Sequence, residues 1–308
     1  MAGVVYTMIV TIPTPFDKAA QKLMIEQSEE RFETQLDEVC KQLKAREDLK
    51  IISLSGPSCA GKTTTARKII SELQSSGKLV KTISIDDFYK NREDYEKDCK
   101  KKGIKSDLES ISAIDMDYFC KCFSQVFSGQ TALLPSFDFS KGRRSGLMPF
   151  TMRENHVIMF EGIQAIYPEI RALFGQIPSA YVFIDAKDSF ESGISYFTGR
   201  EIRLARRLVR DFHKRGASAE HTYRLWEQVV ENEDRSIYPH LELVDYHIDS
   251  TMSYEPMMLK KELTTILGSI KENSKYYAGA QSFLGRFAAF PEMDHGLLPE
   301  NSVYHEFL

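Results

Sequence analysis

The chain has 308 residues, 42% apolar and 27% charged, the make-up of an ordinary globular protein rather than a disordered or fibrous one. Its net charge of −4 gives no general basic field for a nucleic-acid partner, and its five cysteines, an odd number without a regular framework, read as reduced thiols in a cytoplasmic protein. No apolar run approaches the roughly eighteen residues that span a bilayer, and the apolar start runs into Pro13 and Pro15 without a basic flank, which argues against a signal peptide and a membrane partner.

Taken in order, residues 1–17 read as a strand-like segment with a Pro-broken turn. Residues 18–46 read as an amphipathic helix with Leu23, Phe32, Leu36, Val39, Cys40 and Leu43 on one face. The apolar run Ile51-Ile52-Ser53-Leu54 then enters Gly56-Pro57-Ser58-Cys59-Ala60-Gly61-Lys62-Thr63, followed by Thr64 and a helix to about residue 75. This matches G-x-x-x-x-G-K-[ST] between a strand and a helix. Glycines let successive amides turn inward around phosphate oxygens, and the helix adds its N-terminal dipole. Lys62 can reach the β- and γ-phosphates and the Thr63 hydroxyl can ligate Mg²⁺, so the stretch predicts a nucleoside-triphosphate site. Cys59 inside it is read as a small tolerated residue, with oxidant sensing as the alternative.

Gly77 ends the helix, and residues 79–85 read as a buried strand carrying Asp86-Asp87-Phe88-Tyr89 to its carboxyl end, where open α/β sheets bind ligands. A polar, Lys-rich loop is expected over 90–107, a helix over 111–127 closed by Gly129, and an irregular segment after Arg143 and Arg144. Cys120-Lys121-Cys122 lacks zinc-site spacing and reads as helix. Val157-Ile158-Met159-Phe160 is a buried strand that ends in Glu161, the Walker B arrangement for holding Mg²⁺. Between 200 and 215, Arg203, Arg206, Arg207 and Arg210 fall on neighbouring helical rows opposite Leu204, Leu208 and Phe212. A solvated basic face is the ordinary meaning, and a phosphate-clamping lid the favoured one here. Further helices are expected over 219–233 and 254–270, a last strand over 244–248, and a short helix with an extended tail at the end. The alternation predicts a doubly wound, mostly parallel α/β sheet of P-loop NTPase type, helices on both faces, with an Arg-rich helical lid. Three parts are expected: an N-terminal extension (1–48), a kinase domain (49–275), and a C-terminal helix and tail (276–308).

This order of motifs resembles the uridine kinase family, within the uridine kinase and phosphoribulokinase group. The likeness is carried by the loop at 56–63, Asp86-Asp87-Phe88-Tyr89, residues 109–115 and 135–139, Phe160-Glu161-Gly162, and residues 203–211 with Arg215-Gly216. Trp226 to Pro239, Tyr254-Glu255 and the closing Asn301-Ser302 to Glu306-Phe307 resemble a subgroup often fused behind a threonyl-tRNA-synthetase-like domain, though only some 48 residues precede the kinase here. The resemblance implies transfer of the ATP γ-phosphoryl group to a small-molecule hydroxyl, in the first place the 5′-hydroxyl of a nucleoside. It implies Asp86 as general base, and Lys62, Arg207 and Arg210 taking up charge on the moving group. Thr63 and Glu161 would hold Mg²⁺, Glu109 would grip ribose hydroxyls, and Asp87 would be structural. Tyr89, Phe137 and Phe139 match the aromatic wall around the base, with a plain core role as the alternative for the two phenylalanines. Gly142 and Ala217 stand where pyrimidine-specific members carry a His and an Arg, so the acceptor pocket is altered.

Two other readings compete. One is a kinase of another hydroxyl metabolite, a sugar phosphate or pantothenate-like acid, with Arg143-Arg144 or Lys100-Lys101-Lys102 as the extra cations. The other is a non-catalytic ATP-binding regulator that holds a partner with its N-terminal helix. Self-association is left open by the sequence.

Overall fold

The computed structural model describes residues 7–192 and 195–308. β1 (Thr7–Ile9) leads to α1 (Lys18–Ala45), capped by Asp17, whose Oδ1 accepts from the Ala20 amide at 2.9 Å. The expected apolar face is present, with Phe32, Leu36, Val39, Cys40 and Leu43 buried alongside Ile25 and Ser28. Leu23 does not belong to it and is 54% exposed, because about 100° per residue carries it to the far side of the helix from Leu36.

β2 (Ile51–Ser55) and α2 (Lys62–Ser75) flank the glycine-rich loop, and β3 (Leu79–Ser84) follows. The segment read as a polar loop contains α3 (Arg92–Lys101), which buries only Tyr95 and Cys99, too few apolar positions for a helical period to show. α4 (Met116–Phe127) begins later than expected: after a single 3₁₀ turn at Ile111–Ala113, Asp115 accepts from the Tyr118 amide and caps it. β4 (Ala132–Asp138) and β5 (Arg143–Phe150) form an antiparallel hairpin, so the segment after Arg143 is a strand. Its largely exposed side chains left no apolar alternation to read. The chain continues through β6 (His156–Glu161), α5 (Pro168–Phe174), β7 (Ser179–Asp185), β8 (Ser189–Ser192) and β9 (Ser195–Phe197). It ends with α6 (Gly199–Arg215), α7 (Ala219–Asn232), β10 (Tyr246–Asp249), α8 (Glu255–Gly268) and α9 (Tyr277–Phe287).

The central sheet has five parallel strands in the order β10-β7-β2-β6-β3, and β1, β8 and β9 make a small separate sheet. Alternation along the strands turns Ile52, Leu54, Val157, Met159, Val182 and Ile184 toward a core shared with α1, α2, α6 and α8. Ile51, Ile158 and Phe160 turn the other way, onto α4 and α5. Both faces are covered by helices, which is the doubly wound α/β architecture. β3 is the edge strand, so only Ile83 of its residues is buried, fewer than a buried strand implies. Register sets Leu54 and Ser84 level with Glu161, so the segments leaving β2, β3 and β6 meet at one carboxyl edge. Beyond α9 the tail is not extended: it folds into a turn at Val303–Glu306 with Val303, Tyr304 and Phe307 buried in the first core. Among the described residues no helix is long and apolar enough to cross a membrane.

Candidate active site

The loop between β2 and α2 is fixed by close packing. A Cβ on Gly56 would stand 2.2 Å from the Ile184 carbonyl oxygen, and Gly61 has φ 95°, a left-handed conformation that favours glycine. Cys59, at φ 60°, is the one described non-glycine residue with positive φ, and it is buried in the loop. Lys62 Nζ donates to the Gly56 and Pro57 carbonyls at 2.9 and 3.1 Å, holding its ammonium across the loop.

Helix α6 grips the same loop from outside. Arg206 Nη1 donates to the Cys59 carbonyl at 3.0 Å and Arg203 Nη1 to that of Ser58 at 3.3 Å. In a planar trans peptide, a carbonyl tied outward turns the following amide away from the helix that holds it. Both arginines are fully buried. Arg206 makes a bidentate pair with Glu255 at 2.6 and 2.7 Å, and Arg203 one with Glu233 at 2.6 and 2.9 Å, with Asp185 Oδ1 2.8 Å from its Nε. Sequence spacing put all four arginines in one basic face or lid. The structure divides them, because Arg203 and Arg206 are consumed by carboxylates from β7, the turn after α7, and α8. Arg207 and Arg210 instead line a cavity, each bound to Asp211, at 3.3 and 2.7 Å. Phe212, expected opposite them, is exposed.

A cavity of about 380 Å³ opens beside the loop and collects Lys62, Asp86, Tyr89, Glu109, Phe137, Phe139, Arg207 and Arg210, with Ser58 and Cys59 at its base. Burial, reinforced by Glu161 and Glu109 and opposed by Lys62, pushes the Asp86 carboxyl up to about 7. Burial also raises Glu109, against the pull of Arg207 and Lys62, and raises Glu161, against Lys62. Three carboxyls thus converge on one ammonium. Tyr89 packs against Phe137 and Phe139 at centroid distances of 5.7 and 6.2 Å, and Phe139 is 54% exposed, so these two phenylalanines wall the cavity rather than fill a core. Asp87 Oδ1 accepts from the Phe137 amide at 2.9 Å and so anchors the β4–β5 hairpin. Gln164 Nε2 donates to the Tyr89 hydroxyl at 3.0 Å, and the Tyr167 hydroxyl donates to the Glu109 carbonyl at 2.9 Å.

A second cavity of about 690 Å³ lies over the start of α2, lined by Thr63 and Thr64, and Arg210 and Arg215 border both spaces. Gly56, Pro57, Ala60 and Gly61 are buried backbone of the loop, and Glu161 ends β6 beside Asp86 without lining either cavity.

Several lining residues had no sequence signal. Leu225, Gln228 and Val229 present one stripe of α7 to the first cavity, with the spacing of a plain core face. Lys90 and Arg92 supply cations at its outer end, whereas the cations singled out from sequence lie elsewhere: Arg144 pairs with Asp115 at 2.9 Å and stacks on Tyr118, and Lys100, Lys101 and Lys102 are exposed at the end of α3. Gly142 turns the hairpin at φ 62° with its carbonyl accepting from the Arg92 amide at 2.8 Å. A Cβ there would meet Arg92 Cβ at 3.0 Å, so Arg92 stands where a side chain at 142 would project.

The family model described as Phosphoribulokinase / Uridine kinase family matches residues 51–254. Uridine-cytidine kinase A of Dictyostelium discoideum is 32% identical over 171 residues, 55% of this chain and 30% of that protein. Uridine-cytidine kinase C of the same organism is 28% identical over 173 residues, 56% and 32% of the two. The chain therefore matches about a third of the length of these two relatives. The uridine kinase of Macrococcus caseolyticus is 27% identical over 170 residues, 55% of this chain and 72% of that protein. A solved structure described as a possible uridine kinase from Bacillus stearothermophilus aligns with 70% of this chain and 98% of its own, at 17% identity and a TM-score of 0.45. With two-thirds of its length under the family model, the chain belongs to the phosphoribulokinase/uridine kinase family.

Proposed function

We propose that this chain is an ATP- and Mg²⁺-dependent phosphotransferase that moves the γ-phosphoryl group to an alcohol, in the first place the 5′-hydroxyl of a nucleoside. The observation that carries the reading is one cavity holding Asp86, with its carboxyl raised to about 7, opposite Lys62, Arg207 and Arg210. A carboxylate with a pKa near neutrality is poised to accept a proton from an attacking hydroxyl, and the cations face the charge that develops on the group being moved. Glu109 offers the acceptor's remaining hydroxyls a carboxylate, and Tyr89, Phe137 and Phe139 offer a flat ring an aromatic wall. Arg210 and Arg215, which border both cavities, stand between a donor over α2 and an acceptor beside Asp86.

The residues fit Mg²⁺. Among the described residues no three His, Cys, Asp or Glu are arranged to hold a metal alone, and Mg²⁺ in such sites takes one or two carboxylates, a hydroxyl and phosphate oxygens. Glu161 and Thr63 would hold it, and its own charge would offset that of Glu161, which adds to burial in raising Asp86. When bound, the ion neutralises phosphate charge.

A second reading, an acceptor that already bears a carboxylate or phosphate, is favoured by Lys90 and Arg92 at the outer end of the cavity. The Arg92 guanidinium has no ion pair among the described residues. The test is ADP formation from Mg²⁺–ATP with uridine, cytidine, adenosine, guanosine, inosine, pantothenate and ribulose 5-phosphate, with products identified by mass. Turnover on a nucleoside supports the first reading and turnover on an acidic alcohol the second. Silence across the panel, with ATP bound, would point to an acceptor outside the panel or to a non-catalytic ATP-binding regulator.

A further inference from the structure

The segment after residue 254 lies outside the family match, yet its last turn is built against the phosphate loop. Ser302 caps that turn, with its hydroxyl accepting from the Tyr304 amide at 3.1 Å and donating to Glu29 of α1. Val303 rests on the loop, where a Cβ at Gly61 would come within 2.8 Å of its Cγ2. The Tyr304 hydroxyl donates to Glu255 at 3.0 Å, the carboxylate that pairs with the loop-gripping Arg206, and Arg206 lies 4.8 Å from the Phe307 ring centre. Lys214 Nζ, at the end of α6, donates to the His305 carbonyl. Glu306 comes next in the same turn. Its Oε1 accepts from the Thr64 amide, in the first turn of α2, at the mouth of the cavity bordered by Arg67, Arg210, Lys214 and Arg215.

An amide of that turn, next to the motif Lys-Thr, is where a phosphate-binding loop receives a donor phosphate. A carboxylate and a phosphate cannot both take it, since each brings negative charge and acceptor oxygens to one N–H. We propose that Ser302–Glu306 is a built-in part of the donor site: Glu306 occupies the phosphate seat on Thr64, and a polyphosphate donor binds by displacing it. This rests on the reading of the loop as a donor site, and it adds that α1 and the C-terminal turn set the donor affinity. A chain of linked phosphates, held at Lys62 and by the lid arginines as well, outcompetes the carboxylate, whereas a single phosphate gains too few contacts to do so.

The test is calorimetric binding of tripolyphosphate and of Mg²⁺–ATP to the full chain and two isosteric variants. Glu306→Gln removes the competing charge and should tighten tripolyphosphate binding by about tenfold, the size expected for one charge-assisted hydrogen bond. Glu300→Gln removes an equal charge from the rim of the same cavity and should change it by about twofold or less. Binding by Glu306→Gln where the unaltered chain binds nothing would be the strongest support. Equal or weaker binding by Glu306→Gln, or the same gain from Glu300→Gln, overturns the seat while leaving the donor reading intact. No binding of either ligand to any of the three forms overturns the donor reading and this inference with it.

Discussion

Along α6, Arg203 and Arg206 are fully buried and locked by carboxylates of other elements, whereas Arg207 and Arg210, about one turn on, are held by Asp211 of their own helix and face a cavity. A third kind, Arg92, is exposed and has no ion pair among the described residues. Charge on a helix is therefore not in itself a function. The first pair shapes the loop by tying its carbonyls, at the cost of desolvating two guanidinium groups. The second pair keeps its donors within reach of a ligand.

Substitutions that cut each class separately sharpen this contrast. Arg206→Met should produce the largest loss, about 3–5 kcal/mol of stability by chemical denaturation, because Glu255 would stay buried without its partner. A loss under about 1 kcal/mol would put Arg206 in the same class as Arg210. Arg210→Met should lower kcat by about 10²–10³ while stability shifts by about 1 kcal/mol or less, since Asp211 keeps Arg207 and Arg215. A matching fall in stability would erase the distinction between the two pairs.

The next effect is graded by pH. Asp86 must be ionised to accept a proton, so kcat/KM should rise about tenfold per pH unit on the acid side and level by about 7, earlier where bound Mg²⁺ offsets the Glu161 charge. Stability runs the other way. The folded-state pKa stands above the ordinary 3.8, so the folded chain binds the extra proton between about pH 4 and 7, and this group's contribution falls as pH rises through that window. A rate profile with no acid limb at all would remove Asp86 from the proton's path. Smallest is Arg92→Met, expected to leave stability within about 0.5 kcal/mol while raising KM several-fold only for an acceptor that carries an anionic group. An unchanged KM for every acceptor would make Arg92 a solvated surface residue.

The phosphate loop was legible because its physics is local: glycines, a lysine and a threonine at fixed spacing between a strand and a helix determine what the backbone can do. Glu161 and Asp86 were legible as acids at strand ends, and the register of β2, β3 and β6 brings those ends to one edge. The two roles on α6 were not, because they depend on Glu233 and Glu255, far along the chain, with nothing in the spacing of arginines to announce which would be paired. The same holds for the tail. Val303, Tyr304 and Phe307 look like an extended end until the loop and α8 are there to receive them. Helix α3 and strand β5 were missed because their exposed side chains carry little apolar period.

The role of Asp86 as general base is tested by Asp86→Asn, measured for both Mg²⁺–ATP affinity and phosphoryl transfer to whichever acceptor the unaltered chain uses. Affinity should stay within a few-fold while transfer falls by about 10²–10⁴, the usual worth of a positioned general base. Transfer at an unchanged rate, with the variant folded, would contradict it.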